Sequence, residues 1–445
     1  MLAFKIHNKE CQNQRFRLKH LQLIGTIALF AVLWSSEVYS QGRITQPIRP
    51  ENFTIGFSDM WAYWLLFLLP VGFALNPIRL SKNIDDILWI TVGVLFTLLI
   101  GLRYYVGADF DNYIIYYNIS RESSATVFTG EQGLNLAIAY GNAPGYVVVN
   151  ALAQQLGIWG NHGIYVVNTF CASIFMVGLV KFCKKQPLPW VALAVAVPYM
   201  ICGVAMGYTR QATALGFLMW GMSLLRPGNE SKYVAMVLLG SLFHLSVLAT
   251  LPFVAVTRAT IPRSIIYLIV GVLAYMFYVL GTLDLESMAA FNERGSVVNM
   301  AIIFQYTATR ESPGGYIRTY LNVLPVLFAF FMWTRIKMTS TDTDFKLIKW
   351  LAVASFLSLP ALLYSTTLTD RMGLYLMPIQ LTLWPHIIAA QKTQLLRSTW
   401  ASVVLSFYCL VLYVFFHFAN HTHYWLPYLM FPFTSEPIYP HPIPM

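Results

Sequence analysis

Apolar runs of about 16–22 residues, separated by short polar and basic stretches, recur along the whole chain. Their length suits helices crossing a hydrocarbon core roughly 30 Å thick. Spans are predicted at 21–36, 58–76, 87–102, 162–180, 188–206, 209–226, 264–281, 316–334, 347–366, 372–391 and 398–418. The stretch 233–257 is apolar enough to cross once, yet Arg226 and Lys232 precede it and Arg258 and Arg263 follow it. We read it as a re-entrant hairpin breaking near His244, since irregular backbone is tolerated at membrane depth where protein or water surrounds it. The pattern therefore predicts an all-α, polytopic membrane protein. It is a single membrane domain over 1–445, with about 11 transmembrane helices plus the hairpin.

Composition agrees with this reading. Hydrophobic residues make up 57% of the chain and charged residues 11%, against about 25% charged in a soluble protein. A water-exposed surface is excluded.

Charge sets the orientation. Residues 1–20 carry Lys5, Lys9, Arg15, Arg17 and Lys19 against Glu10, so the N-terminus is read as cytoplasmic. The first span is taken as a retained helix, with a signal segment cleaved near Val38-Tyr39-Ser40 as the alternative. With the hairpin, twenty of the 29 Lys and Arg and six of the 19 Asp and Glu lie inside, a net +14. Nine and thirteen lie outside, a net −4. All the lysines are then cytoplasmic, and every outside cation is an arginine: Arg43, Arg49, Arg103, Arg121, Arg210, Arg294, Arg310, Arg318 and Arg371. The positive-inside rule explains the lysines. Arginines kept on the other face need a further reason, and a guanidinium that binds phosphate or carboxylate bidentately suits an anionic substrate.

Two outside segments, 103–161 and 282–315, are long enough to cap a cavity, and 419–445 forms an outside tail. The cysteines (Cys11, Cys171, Cys183, Cys202 and Cys409) show no C-x-x-C spacing and read as packing residues. No phosphate loop, zinc-protease motif or nucleic-acid motif appears. The readings expect no metal, no cofactor and no nucleic-acid partner.

The densest polar run is Gly101-Leu102-Arg103-Tyr104-Tyr105-Val106-Gly107-Ala108-Asp109-Phe110-Asp111-Asn112-Tyr113. Arg103 is read as an anion ligand, and Asp109 or Asp111 as a base or an arginine partner; a snorkelling arginine with ordinary loop carboxylates is the alternative. Thr209-Arg210-Gln211 and Asp370-Arg371-Met372 share a layout, each expected at an outer helix start, where backbone amides and arginine together suit a phosphate. An interfacial Asp370–Arg371 pair with a snorkelling Arg210 is the competing reading. His244, within an apolar stretch, is an intramembrane ionisable group suited to proton transfer or to helix packing. His417, His421 and His423 lack an acid or cysteine at ligand spacing and read as an interfacial belt with Tyr424 and Trp425.

Five of these segments occur together, in order, from about residue 87 to 391. They are Arg103-x-x-Val106-Gly107-x-Asp109-x-x-x-Tyr113, Pro144-Gly145-Tyr146, Arg210-Gln211-x-x-Ala214, Phe243-His244-x-Ser246 and Arg371 with Tyr375. The set resembles the signature segments of EpsG-type proteins, in the Wzy-like group of bacterial polysaccharide polymerases. One departure stands out: the family commonly has Glu directly before Pro-Gly, and this chain has Ala143. The resemblance implies a glycosyltransferase of the bacterial inner membrane, for O-antigen, capsule or exopolysaccharide. It would transfer a growing glycan from undecaprenyl pyrophosphate onto an incoming lipid-linked repeat unit at the outer face. Asp109 is then the first choice as base and His244 the second. Arg103, Tyr113, Arg210, Gln211, Asp370 and Arg371 would contact substrate. Partners would be the lipid-linked oligosaccharide, the bilayer and a chain-length regulator. The alternatives are another polyprenyl-phosphate-dependent glycosyltransferase and a flippase or exporter of lipid-linked saccharides.

Overall fold

The computed structural model describes residues 56–76, 81–114, 116–118, 143–157, 162–257, 313–419 and 422–433. The predicted spans 21–36 and 264–281 and the outside segment 282–312 lie outside the described residues, as do Arg294 and Arg310.

Among the described residues the chain is helical, without a strand. The helices are α1 (Phe57–Leu75), α2 (Lys82–Gly101), α3 (Pro144–Leu156), α4 (Ile164–Lys184), α5 (Pro189–Ala196), α6 (Thr209–Leu224), α7 (Glu230–Ser241), α8 (Pro313–Phe330), α9 (Trp333–Thr339), α10 (Asp342–Tyr364), α11 (Thr366–Gly373), α12 (Pro378–Ala389) and α13 (Gln394–Phe418). A π-helix, Val197–Ala205, prolongs α5, and a 3-10 helix, Leu245–Thr257, follows α7. Among the described residues five helices (α1, α2, α4, α10 and α13) are long and apolar enough to cross a membrane, or six if α8 and α9, bent by 91° to each other, are counted as one span. The protein is a multi-pass membrane protein.

Two ends of the bundle are chemically distinct. At one, Lys184 pairs with Asp86, and Lys185 with Asp344 at 2.5 Å. The opposite end gathers Arg103, Asp109, Arg210 and Arg371.

The centre is built on close backbone contact. A Cβ placed on Gly178 of α4 would sit 1.9 Å from the Gly216 carbonyl oxygen of α6. One on Gly216 would sit 2.5 Å from the Phe175 Cα. In lipid no hydrophobic force draws two apolar helices together, so small residues that admit dispersion contact do the holding.

Beyond α7 the chain reverses at Leu242–His244. The Tyr233 hydroxyl donates to the Thr250 carbonyl, 17 positions on, at 2.7 Å. The two arms of 230–257 therefore run antiparallel, with His244 at the turn.

The C-terminal segment 422–433 is tied over the end opposite the lysines. Arg103 and Met430 form an antiparallel bridge. Tyr104 N–H donates to Leu429 O at 2.9 Å, Phe431 N–H to Leu102 O at 2.8 Å, and Gly107 N–H to Tyr424 O at 2.8 Å. Buried side chains reinforce this strap. Trp425 Nε1 donates to Cys202 O at 2.7 Å, Tyr63 OH to Trp425 O at 2.6 Å, and Tyr428 OH to Leu99 O at 2.6 Å. The first of these uses a carbonyl of the π-helix, where a widened turn leaves backbone acceptors without regular partners.

Gly216→Leu is expected to abolish recovery of folded protein from membranes, a loss above about 4 kcal/mol typical of core overpacking at a backbone contact. Gly93→Ala, whose Cβ would meet only Val180 at 3.7 Å, should leave recovery unchanged. Size-exclusion profiles of the detergent-extracted variants check both.

Candidate functional site

The site begins where α2 ends. Arg103 is completely buried. Its guanidinium donates to Ile100 O at 2.6 Å, to Val106 O at 3.0 Å and to the Thr209 Oγ1 at 2.7 Å. It therefore closes its own loop and ties that loop to the first residue of α6. Just beyond, Gly107 adopts φ +104°, and a Cβ there would lie 2.0 Å from Met206 O. Only glycine allows both the left-handed backbone and the approach.

That loop presents Asp109 and, one turn on, Tyr113. Burial raises the Asp109 carboxyl above its ordinary value, while Arg371 and Arg210 both pull it down. Burial likewise raises the Tyr113 hydroxyl, with Asp109 acting in the same direction and Arg210 opposing. The chain thus brings Asp109, Tyr113, Arg210 and Arg371 into one electrostatic neighbourhood, from segments more than 260 positions apart.

Each of the two arginines rests on an aromatic face. The Arg371 guanidinium carbon lies 4.2 Å from the Tyr208 ring centroid, and that of Arg210 lies 5.0 Å from Tyr116. Stacking on a π-face orients a planar guanidinium.

The sequence places Arg210 in the first turn of α6, as expected. Arg371 is different: it sits in the last turn of the short helix α11, not at a helix start. The reason is local. Ser365 caps a new helix, its Oγ accepting from Leu368 N–H at 3.2 Å, and Pro378 opens α12. The expected single span 372–391 is therefore preceded by a separate turn of helix that carries the arginine. A cation at that end is favoured by the helix dipole.

His244 reaches the same neighbourhood from the turn of the antiparallel arms, where Arg210 and Arg371 act on it electrostatically. Its Nδ1 lies 2.6 Å from the Ser246 Oγ, which lies 3.0 Å from the Tyr375 hydroxyl. Tyr375 is hydrogen-bonded to Gln211, and Gln211 Nε2 donates to the Arg371 carbonyl at 2.9 Å. One network thus joins the histidine to the backbone of an arginine.

The N-terminus of α3 meets the same turn, with Gly145 N–H donating to Leu242 O at 2.8 Å. Ala143 is buried at this junction.

Asp370 faces the other way. Arg318 Nη2 donates to its Oδ2 at 2.7 Å, and Arg318 Nε lies 2.6 Å from its Oδ1 as an ion-pair contact. Of the residues singled out in the sequence, Asp109, Tyr113, Arg210, Gln211, His244 and Arg371 converge. Arg103 and Asp370 lie at the edges and are engaged by protein groups. Ser246 and Tyr375, noted only within motifs, emerge as partners of His244. Neither Tyr116 nor Tyr208 was given a role from the sequence, because nothing along the chain marks which ring faces a cation. Among the described residues no group of three His, Cys, Asp or Glu is arranged to hold a metal.

The EpsG family model matches residues 86–430, which takes in the whole site and ends within the strap. No curated protein and no solved structure matches the chain.

Ending the chain after Ala419 should remove the strap and with it the register of the Asp109 loop, giving a protein that is inserted but inactive. Ending it after Phe433 should leave activity near the full-length level. Complementation of a deletion strain, normalised to membrane protein level, checks the pair. Equal activity of the two truncations would contradict a role for 422–433.

Proposed function

The chain belongs to the EpsG family, and on that premise we propose that it is a polysaccharide polymerase. Family membership supports a membrane polymerase or glycosyltransferase-like role in polysaccharide biosynthesis. The observation that carries the finer reading is the convergence of Arg210 and Arg371, each laid on a tyrosine face, upon Asp109.

In this reading the protein acts at the outer face of the bacterial inner membrane, with 230–257 re-entering from the cytoplasmic side. The donor is a glycan on undecaprenyl pyrophosphate, and the acceptor is an incoming lipid-linked repeat unit. The bond from the anomeric carbon to the pyrophosphate oxygen breaks, and its electron pair leaves with the pyrophosphate. A hydroxyl of the acceptor sugar forms the new glycosidic bond and gives its proton to a base.

Arg210 and Arg371 hold the pyrophosphate and stabilise the charge that grows on it. Fixed cations in a low-dielectric site do this without reorganising at the moment of reaction. Asp109 is the base, opposite the arginines and in place of any carboxylate at position 143. A buried carboxylate whose pKa is raised is a stronger proton acceptor once ionised, which suits it to the task. His244, oriented by Ser246 and Tyr375, is the second base and the route by which a proton leaves the site. Tyr113 and Gln211 line the site, Gln211 by holding the Arg371 carbonyl. Arg103 and Asp370 serve it from behind, Arg103 by closing the loop that carries Asp109.

An electrophoretic glycan ladder from deletion cells carrying wild type, Arg210→Ala, Arg210→Lys or Arg371→Lys tests this. Collapse to single repeat units in all three variants is expected, at normal protein level, because a point-charge ammonium does not replace a bidentate guanidinium. Surface glycan lost altogether, with undersized precursors, would instead indicate an earlier transferase. Complete units trapped on the cytoplasmic face would indicate a flippase.

The role of Asp109 makes a second, pH-dependent expectation. A base must be ionised, so activity should fall as pH drops through its raised pKa. The acid limb should therefore lie above that of an ordinary carboxylate. Asp109→Asn should lose activity at every pH, by about 10²–10⁴-fold. An unchanged acid limb in active Asp109→Asn protein would remove Asp109 from the mechanism.

A further inference from the structure

Helix α8 grips α11 along one face. A Cβ on Gly315 would sit 2.6 Å from Thr366 O, so the two backbones touch there. One turn on, Arg318 Nη2 donates to Asp370 Oδ2 at 2.7 Å, and its Nε lies 2.6 Å from Oδ1 as an ion-pair contact. A further turn on, Asn322 Nδ2 donates to Gly373 O at 3.0 Å. Positions 315, 318 and 322 of α8 thus meet 366, 370 and 373 of α11, which is the spacing of one helical face on each side.

Asn322 is itself held. Gln380 Nε2 donates to its Oδ1 at 2.6 Å, Tyr408 OH donates to Gln380 Oε1 at 2.7 Å, and Trp384 Nε1 donates to Tyr408 OH at 3.0 Å. Asn322, Gln380, Trp384 and Tyr408 are all buried. This ladder joins α8 to α12 and α13 and ends on the carbonyl two residues beyond Arg371.

A buried ion pair and a chain of buried amides are not an economical way to stabilise a helix bundle. Desolvating both charges consumes most of what their attraction returns, and an apolar replacement of similar volume is often as stable. What a buried, hydrogen-bonded ion pair supplies is geometry. It fixes α11 in rotation and along its axis, and the residue so fixed is Arg371, between the two gripped positions Asp370 and Gly373.

We infer that Arg318 and Asn322 are positioning residues for Arg371. They hold its guanidinium where a pyrophosphate is bound, without contacting that group themselves. Asp370 belongs to the clamp and not to the ligand shell. The inference rests on the proposed role of Arg371 in binding pyrophosphate.

The test is binding of undecaprenyl pyrophosphate to the full chain in nanodiscs, with thermal unfolding of each variant measured alongside. Arg318→Lys keeps the charge but loses the planar guanidinium that places Nη2 on the Asp370 Oδ2, and Asn322→Ala removes the bond to Gly373. Both are expected to weaken binding about 10-fold, as small misplacement of a binding group does, with unfolding midpoints close to wild type. Arg371→Ala should weaken it at least as much. If Arg371→Ala binds poorly while both clamp variants bind like wild type, the clamp is merely structural and the inference falls. If Arg371→Ala itself binds like wild type, the reading of Arg371 fails first, and the clamp loses its purpose with it. Should Arg318→Lys not fold, Asn322→Ala carries the same comparison alone.

Discussion

The end of the bundle that carries the site depends on one buried guanidinium. Arg103 stands just beyond the end of α2, and its donors reach a carbonyl behind it, a carbonyl ahead of it and the first side chain of α6. A charge taken out of water must be met by protein groups, and meeting it here folds the loop back on itself. Every later feature of the site uses that fold. Gly107 is pressed against Met206, Asp109 is turned toward the two arginines, and the strap finds open backbone groups at 102, 104 and 107 to bond.

The charged groups around the site meet two kinds of neighbour. Arg318 and Asp370 pair with each other. Arg210 and Arg371 are instead laid on Tyr116 and Tyr208. An aromatic face steadies a planar guanidinium. Asp109 is close enough to feel both cations.

Helix geometry serves the same purpose. The small residues at the α4–α6 crossing bring two backbones together in the apolar middle, where packing is the only cohesion available. Polar ladders appear where position matters more than cohesion: His244–Ser246–Tyr375–Gln211 on one side of Arg371, and Asn322–Gln380–Tyr408 on the other. The two meet the chain at the carbonyls of residues 371 and 373. The arginine is held from both flanks.

Much of this was legible in the chain itself. Apolar runs of bilayer length fix helices in a membrane because backbone polar groups there can be satisfied only within the segment, and that constraint is local. An excess of lysine toward one face, and arginine alone on the other, is likewise an expectation drawn from sequence. So is the reversal near His244, since basic residues flank both ends of 233–257. Arg210 at a helix start could be read from the break at Gly207. The position of Arg371 could not, because Ser365 and Pro378 divide a continuous apolar pattern into two helices, and hydropathy does not register a cap. Nor does sequence distinguish an arginine that closes its own loop, as Arg103 does, from arginines laid on aromatic rings, as Arg210 and Arg371 are. That difference is made by which carbonyls and rings lie within reach after folding. Asn322 in an apolar helix was a signal of something buried and polar, but its partner Gln380 lies 58 positions away. The sequence by itself decided the medium, the helices and the supply of arginines. Only the tertiary structure decided which carbonyls, carboxylates and rings each arginine meets, because hydrogen-bond partners are a property of approach in space.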